Sequence, residues 1–198
     1  MRTTIKVVMA ISMLSAISCR KEPLRNTQTA IAQTQENAAA QIAGHFIGER
    51  FGGGIVFYID GTGKHGLISD TVNLQAAVWW NGTYIKTGAT ATAIGSGKTN
   101  TKLIVAAQGK PINPGYNYAA WQCSKSKNSG YTDWYLPSKD ELNELYNLRN
   151  VVGGIPYDGF WSSSESDDVV AWYLGFNNGS LNYIYKTIGF DVRAVRSF

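Results

Sequence analysis

Charge is scarce in this sequence. Charged side chains make up 16 % of the 198 residues, with 18 Lys and Arg against 14 Asp and Glu. Two of the basic residues, Arg2 and Lys6, lie in a segment expected to be cleaved, which leaves 16 against 14 and a net charge of about +2. No basic cluster stands out, so no nucleic-acid partner is expected, because such partners are held by concentrated positive charge. Histidine is limited to His45 and His65, neither at a metal-ligand spacing, so no metal and no cofactor are expected. Cysteine occurs twice, at Cys19 and Cys123. If Cys19 carries lipid, Cys123 has no partner, no internal disulfide forms and the fold holds by packing alone. The one sustained apolar run, "VVMAISMLSAI" at residues 7–17, is too short to span a bilayer.

That run has a use nonetheless. It follows the basic "MRTTIK" and ends in "SAISC", with small residues just before Cys19. Residues 1–19 therefore read as a bacterial lipoprotein signal, with Ala16 standing where Leu is commoner. The acyl chains of a lipidated Cys19 would hold the protein firmly, because more than one chain is needed for stable attachment. The expected location is the cell envelope, lipid-anchored to the outer membrane. Residues 20–47 follow, rich in Ala, Gln, Thr and Asn; so polar a stretch cannot bury enough area to fold alone and reads as a tether.

From residue 48 the composition changes. The chain's 21 Gly, 11 Tyr and 6 Trp favour short strands and many turns over a helical bundle. "GIVFYID" and "HGLIS" flank a Gly-rich turn and predict a hairpin. Residues 74–80 fit a short helix or a strand equally. "NTKLIVAAQG" predicts a helix ended by Gly109, and "YNYAAWQC" a second. In "LPSKDELNELYNLR", Ser138 and Glu141 form a capping box, with Leu142, Leu145 and Tyr146 on the inward face of the helix they start. "AWYLGF" alternates, with Trp172, Leu174 and Phe176 on one side and Tyr173 on the other. "NNGS" is a turn, "LNYIYKT" a strand, and "FDVRAVRSF" a single closing strand.

Several constellations have ordinary explanations. "AIGSGKTNT" at 93–101 lacks the first glycine of a phosphate-binding loop, since Thr92 occupies that position. Cys123 lacks a nearby base in sequence. Glu165, Asp167 and Asp168 read as a solvated acidic loop, and Asp140 and Glu141 as a helix start. What remains unexplained is "NNGSLNYIYK" at 177–186, rich in amide, hydroxyl and phenol groups. Such residues suit a binding surface: Tyr gives area for little lost entropy, and Asn gives adaptable hydrogen bonds. Tyr173, Asn177, Asn178, Ser180, Asn182, Tyr183, Tyr185 and Lys186 are the expected ligand-binding set, whereas Trp161, Trp172 and Phe176 are assigned to the core.

"GGGIVFYIDGTGKHGLIS", "GSGKTNT", "DWYLPSKDELNELY", "FWSSSE", "AWYLGFNNGS" and "VRAVRSF" together resemble the Lcl C-terminal domain family (DUF1566), common in Bacteroidetes lipoproteins. The resemblance covers residues 48–198. It implies an α+β, C-type-lectin-like domain with two helices, a small twisted, mainly antiparallel sheet, and termini close together. A subset of such domains is similar to the variable proteins of diversity-generating retroelements, whose codons are rewritten near the C-terminus. The resemblance thus implies a non-enzymatic, surface-anchored protein that binds a protein or glycan ligand on its last hairpin. The alternatives are a structural envelope lipoprotein, and an enzyme of the formylglycine-generating type. The sequence lacks the paired cysteines of that enzyme and the Glu-Pro-Asn or Gln-Pro-Asp of calcium-dependent sugar binders.

Overall fold

The computed structural model describes residues 44–113, 115–156 and 158–198. The expected leader at 1–19, Cys19, and the tether up to residue 43 lie outside the described residues.

The protein is an α+β fold. Among the described residues nine strands run in chain order: β1 Arg50–Phe51, β2 Gly54–Ile59, β3 Gly66–Asp70, β4 Leu74–Ala77, β5 Gly159–Glu165, β6 Val170–Gly175, β7 Leu181–Tyr185, β8 Phe190–Val192 and β9 Val195–Ser197. Four α-helices occupy the middle of the described chain: α1 Gly97–Gln108, α2 Ala119–Lys125, α3 Lys139–Asn147 and α4 Arg149–Val152. The expected single small sheet is in fact two, ordered β1-β2-β3-β9 and β4-β8-β5-β6-β7. All pairings are antiparallel except β5 with β8, which meet at Phe160 and Asp191. The ambiguous stretch at 74–80 resolves as strand β4 over Leu74–Ala77, followed by irregular chain.

Both faces are covered at the centre of the fold, along β3, β5 and the first four residues of β2, which explains the unbroken apolar run of β2. Along β2, Val56 enters one core cluster while Ile55 and Phe57 enter the other; along β5, Trp161 and Phe160 divide in the same way. The first cluster gathers Trp79, Ile104, Tyr118, Trp134 and Trp161, and the second gathers Leu142, Leu145, Phe160, Leu174 and Phe176. Two tryptophans satisfy each other's neighbourhoods: Trp79 donates to the Ser162 carbonyl at 2.8 Å, and Trp161 to the Ala77 carbonyl at 2.9 Å. Buried indole N–H groups need such acceptors.

The final strand is broken. The expected continuous "FDVRAVRSF" strand leaves one sheet as β8 and enters the other as β9, and the step falls at Arg193–Ala194. Arg193 is buried there and donates to the carbonyls of Asp70 and Gly154, each at 2.6 Å. Burial pushes its guanidinium down to about 10. The folded unit also takes in His45, whose ring lies 3.8 Å from Phe51 and 4.6 Å from the C-terminal Phe198. The two ends of the described domain therefore meet.

The helix signals in the sequence are realised atom by atom at α3. Ser138 Oγ accepts from the Glu141 N–H, and Glu141 accepts from the Ser138 N–H at 2.8 Å. Replacing Ser138 with Ala should cost about 1 kcal/mol of stability, the usual worth of such a cap, measured by urea denaturation. An unchanged midpoint would mean that the cap contributes nothing to this helix.

Candidate functional site

The eight side chains singled out from the sequence fall on β6, β7 and the turn between them, with Lys186 directly after β7. β7 is the outer strand of its sheet, paired to β6 with Trp172 opposite Tyr183, Tyr173 opposite Asn182, and Leu174 opposite Leu181. Gly175 N–H donates to the Ser180 carbonyl and Lys186 N–H to the Val169 carbonyl. Even-numbered residues of this strand therefore bond inward to β6, and Leu181, Tyr183 and Tyr185 turn their backbone groups to the open edge. Part of that edge is already occupied: Asn182 Oδ1 accepts from the Tyr183 N–H at 2.8 Å, and the Tyr185 carbonyl accepts from Ile188 N–H at 3.0 Å. An edge strand so blunted resists uncontrolled strand pairing.

Side chains alternate. Leu181 packs against the second core cluster, while Ile184 packs against the first. Beyond Leu181 its face leaves the core, so Tyr183 is 53 % exposed and Tyr185 58 % exposed. The Tyr183 ring stands edge-on to Trp172 at 5.4 Å, and Lys139 Nζ lies over the same indole at 4.5 Å. Together Trp172, Tyr183, Tyr185 and Lys139 form an aromatic shelf with one cation at its margin.

The remaining predicted residues divide. Asn177, Asn178 and Ser180 are exposed on the turn, and Asn178 Oδ1 accepts from the Ser180 N–H at 2.9 Å, which shapes the turn itself. Tyr173 is half-buried, stacked on Phe190 at 4.7 Å. Three assignments require correction. Lys186, expected at the surface, is 1 % exposed. Its ammonium donates to Glu165 Oε1 at 2.6 Å and to the carbonyls of Asp168 and Ile85 at 2.9 and 3.2 Å, and it sits 4.6 Å from the Trp79 ring. Glu165 in turn accepts from the N–H groups of Thr87 and Gly88. Lys186 lies on the Ile184 side of the strand, which faces inward, so a charge that looks solvent-bound is a core ion pair. Glu165 leaves the expected solvated loop for the same reason. Trp172, conversely, was assigned to the core and is only half-buried. It shares a face with Leu174 and Phe176, but the core beneath that face ends before it. No pattern in the sequence marks where that cover stops, nor that Lys139, 33 positions earlier, reaches Trp172.

The other motifs resolve as structure. At the loop resembling a phosphate cradle, Gly95 N–H donates to Glu141 Oε1 at 2.8 Å. A side chain on Gly97 would overlap the other oxygen of that carboxylate. The amides that could hold a phosphate thus hold the protein's own anion, an arrangement backbone nests favour. Burial raises the Glu141 carboxyl above its ordinary range, against the pull of the Ser138, Gly95 and Gly97 amides. Asp133 is held low by hydrogen bonds from Arg196, at 2.8 and 3.0 Å. Cys123 is fully buried, and desolvation pushes its thiol well up, away from the thiolate a nucleophile requires. Among the described residues no three His, Cys, Asp or Glu side chains converge as metal ligands, and no helix is long and apolar enough to cross a membrane.

With this geometry in place, comparison with known proteins gives one result. The family model of the Lcl C-terminal domain matches residues 71–196, which takes in the capping box, the shelf and the parts of both core clusters that follow β3. No curated protein matches the chain at a significant level.

Proposed function

The chain belongs to the Lcl C-terminal domain family, and from that premise we propose that it is a binding protein whose recognition surface is the Trp172–Tyr183–Tyr185 shelf, with Asn177, Asn178 and Ser180 at its side. The observation that carries this reading is the exposure of Tyr183 and Tyr185 on an outer strand whose Leu181 and Ile184 pack against the two cores. Large aromatic rings held rigid by a sheet, and unused by the fold, are what interface anchors are made of. The partner is a protein or glycan at a cell surface, and the lipid-anchored envelope location read from Cys19 belongs to the same proposal. The meeting of the two domain ends and the two-sheet α+β layout support a C-type-lectin-like assignment. The deep burial of Cys123 favours binding over formylglycine-type chemistry.

Diversification by a retroelement is part of this reading, and the structure restricts where it could act. Asn177, Ser180, Tyr183 and Tyr185 can change without disturbing the core, whereas Leu181, Ile184 and Lys186 cannot. Gly179 is fixed as well, with φ of 74° and the Tyr146 ring against it.

The experiment is photo-cross-linking in the native host. Benzoylphenylalanine in place of Tyr183 should give a discrete adduct with an envelope partner, and the same probe in place of Leu103, which is exposed on α1, should not. Equal adducts from both positions, or none from Tyr183, would favour a structural lipoprotein without an exchangeable ligand.

A further inference from the structure

A second surface, lined by none of the shelf's aromatic rings, has a different composition. Tyr116 is 76 % exposed and stands between two depressions. One, of about 340 Å³, is lined by Gln75, Val78, Asn117 and Gln122 among others; the second, of about 420 Å³, is lined by Trp80, Ile112 and Asn113. Val78 and Tyr116 belong to both, so the two form one groove. Tyr84 extends its aromatic side, with its ring 4.6 Å from that of Trp80. Each half falls within the size range of small-molecule sites.

The frame of the groove is fixed from within. Asn81 donates to the carbonyls of Gln108 and Lys110 and accepts from Ile112 N–H, which ties the strand-end loop to the segment after α1. Gln122 donates to the carbonyls of Gln75 and Asn117, each at 3.0 Å. The side-chain amides of Gln75, Asn113 and Asn117 make no hydrogen bond among the described residues and are exposed. Frame and contacts are thus separate: some amides hold the loops, and others are left to meet a ligand.

Charge identifies the class of ligand. None of the residues lining either half is ionisable except the Tyr116 phenol. A phosphate, nucleotide or sulfated sugar would find no cation to balance it, and leaving such a charge unpaired is costly. Aromatic faces beside neutral amides suit a molecule that offers C–H faces and hydroxyl edges together. We propose that this groove binds an uncharged oligosaccharide, its sugar rings lying against Trp80 and Tyr116 and its hydroxyls bonded to Gln75, Asn113 and Asn117. The site is independent of the shelf reading and would stand if that reading failed.

The test titrates the full-length protein by calorimetry with cellohexaose, xylohexaose, maltohexaose and mannohexaose, and with a heparin hexasaccharide as the charged control. At least one neutral sugar should bind, with an affinity indifferent to added salt. Tyr116→Ala and Trp80→Ala should each weaken it about tenfold or more, while Leu103→Ala, a change on the exposed side of α1, leaves it unchanged. Tyr116 is so exposed that its variant keeps the fold even where Trp80→Ala does not. Binding by none of the neutral sugars, binding that survives Tyr116→Ala, or binding of heparin alone that falls with salt would each overturn the proposal.

Discussion

Lys186→Ala is expected to destabilise the domain by about 3–5 kcal/mol, the usual result of removing one partner of a buried ion pair. The cost arises less from the lost attraction than from what remains. Glu165, itself 2 % exposed, would be left with only the Thr87 and Gly88 amides as hydrogen-bond partners. Carbonyls of Ile85 and Asp168 would lose their donor as well. The double variant Glu165→Gln/Lys186→Met should recover much of the loss, because an apolar or neutral replacement of both partners removes the unpaired charge. Urea denaturation of the three proteins measures this. A loss below about 0.5 kcal/mol for Lys186→Ala, the range of ordinary surface changes, would show that the side chain is not confined as described.

Trp161→Ala should cost a similar amount, about 3–5 kcal/mol, by emptying the centre of the first core. Its indole is fully buried, donates to Ala77, and is flanked by Phe190 at 5.0 Å. Trp172→Ala is the matched comparison. That ring is half-buried and meets Tyr183 and Lys139 at the surface, so its removal should cost about 0.5–1.5 kcal/mol, the worth of an aromatic contact. Comparable losses at the two positions would place Trp172 in the core and remove it from the shelf.

These two residues also show what the sequence could and could not carry. The α3 capping box and the β2–β3 hairpin are local devices, in which partners three to sixteen residues apart announce each other. They are found where the spacing puts them. Alternation along β7 likewise puts Tyr183 and Tyr185 with Leu181 and opposite Ile184. Which of those faces meets solvent depends on how far each core extends, and that is set by β4, α3 and the first core, all remote in sequence. Lys186 is the clearest case. Period two places it beside Ile184 and hence inward, but its acceptability there rests on Glu165 and on the carbonyls of Ile85 and Asp168, none of them local. The break in the closing strand is hidden for a related reason: nothing in "FDVRAVRSF" signals that buried Arg193 sits where the chain changes sheets. The groove beside Tyr116 assembles from segments at 75–84 and 112–122, which no periodicity connects.

The account divides the last hairpin into side chains that fold the protein and side chains that bind. The measurement that tests this division most directly is the Tyr183→Ala/Tyr185→Ala variant, examined together for melting temperature and for affinity toward the partner that cross-links at position 183. The account predicts a melting temperature nearly unchanged, since exposed substitutions stay within about ±0.5 kcal/mol. It also predicts an affinity loss of 2 kcal/mol or more, roughly thirtyfold, since exposed aromatic anchors carry such amounts. A large fall in melting temperature, or an affinity that does not change, would contradict it.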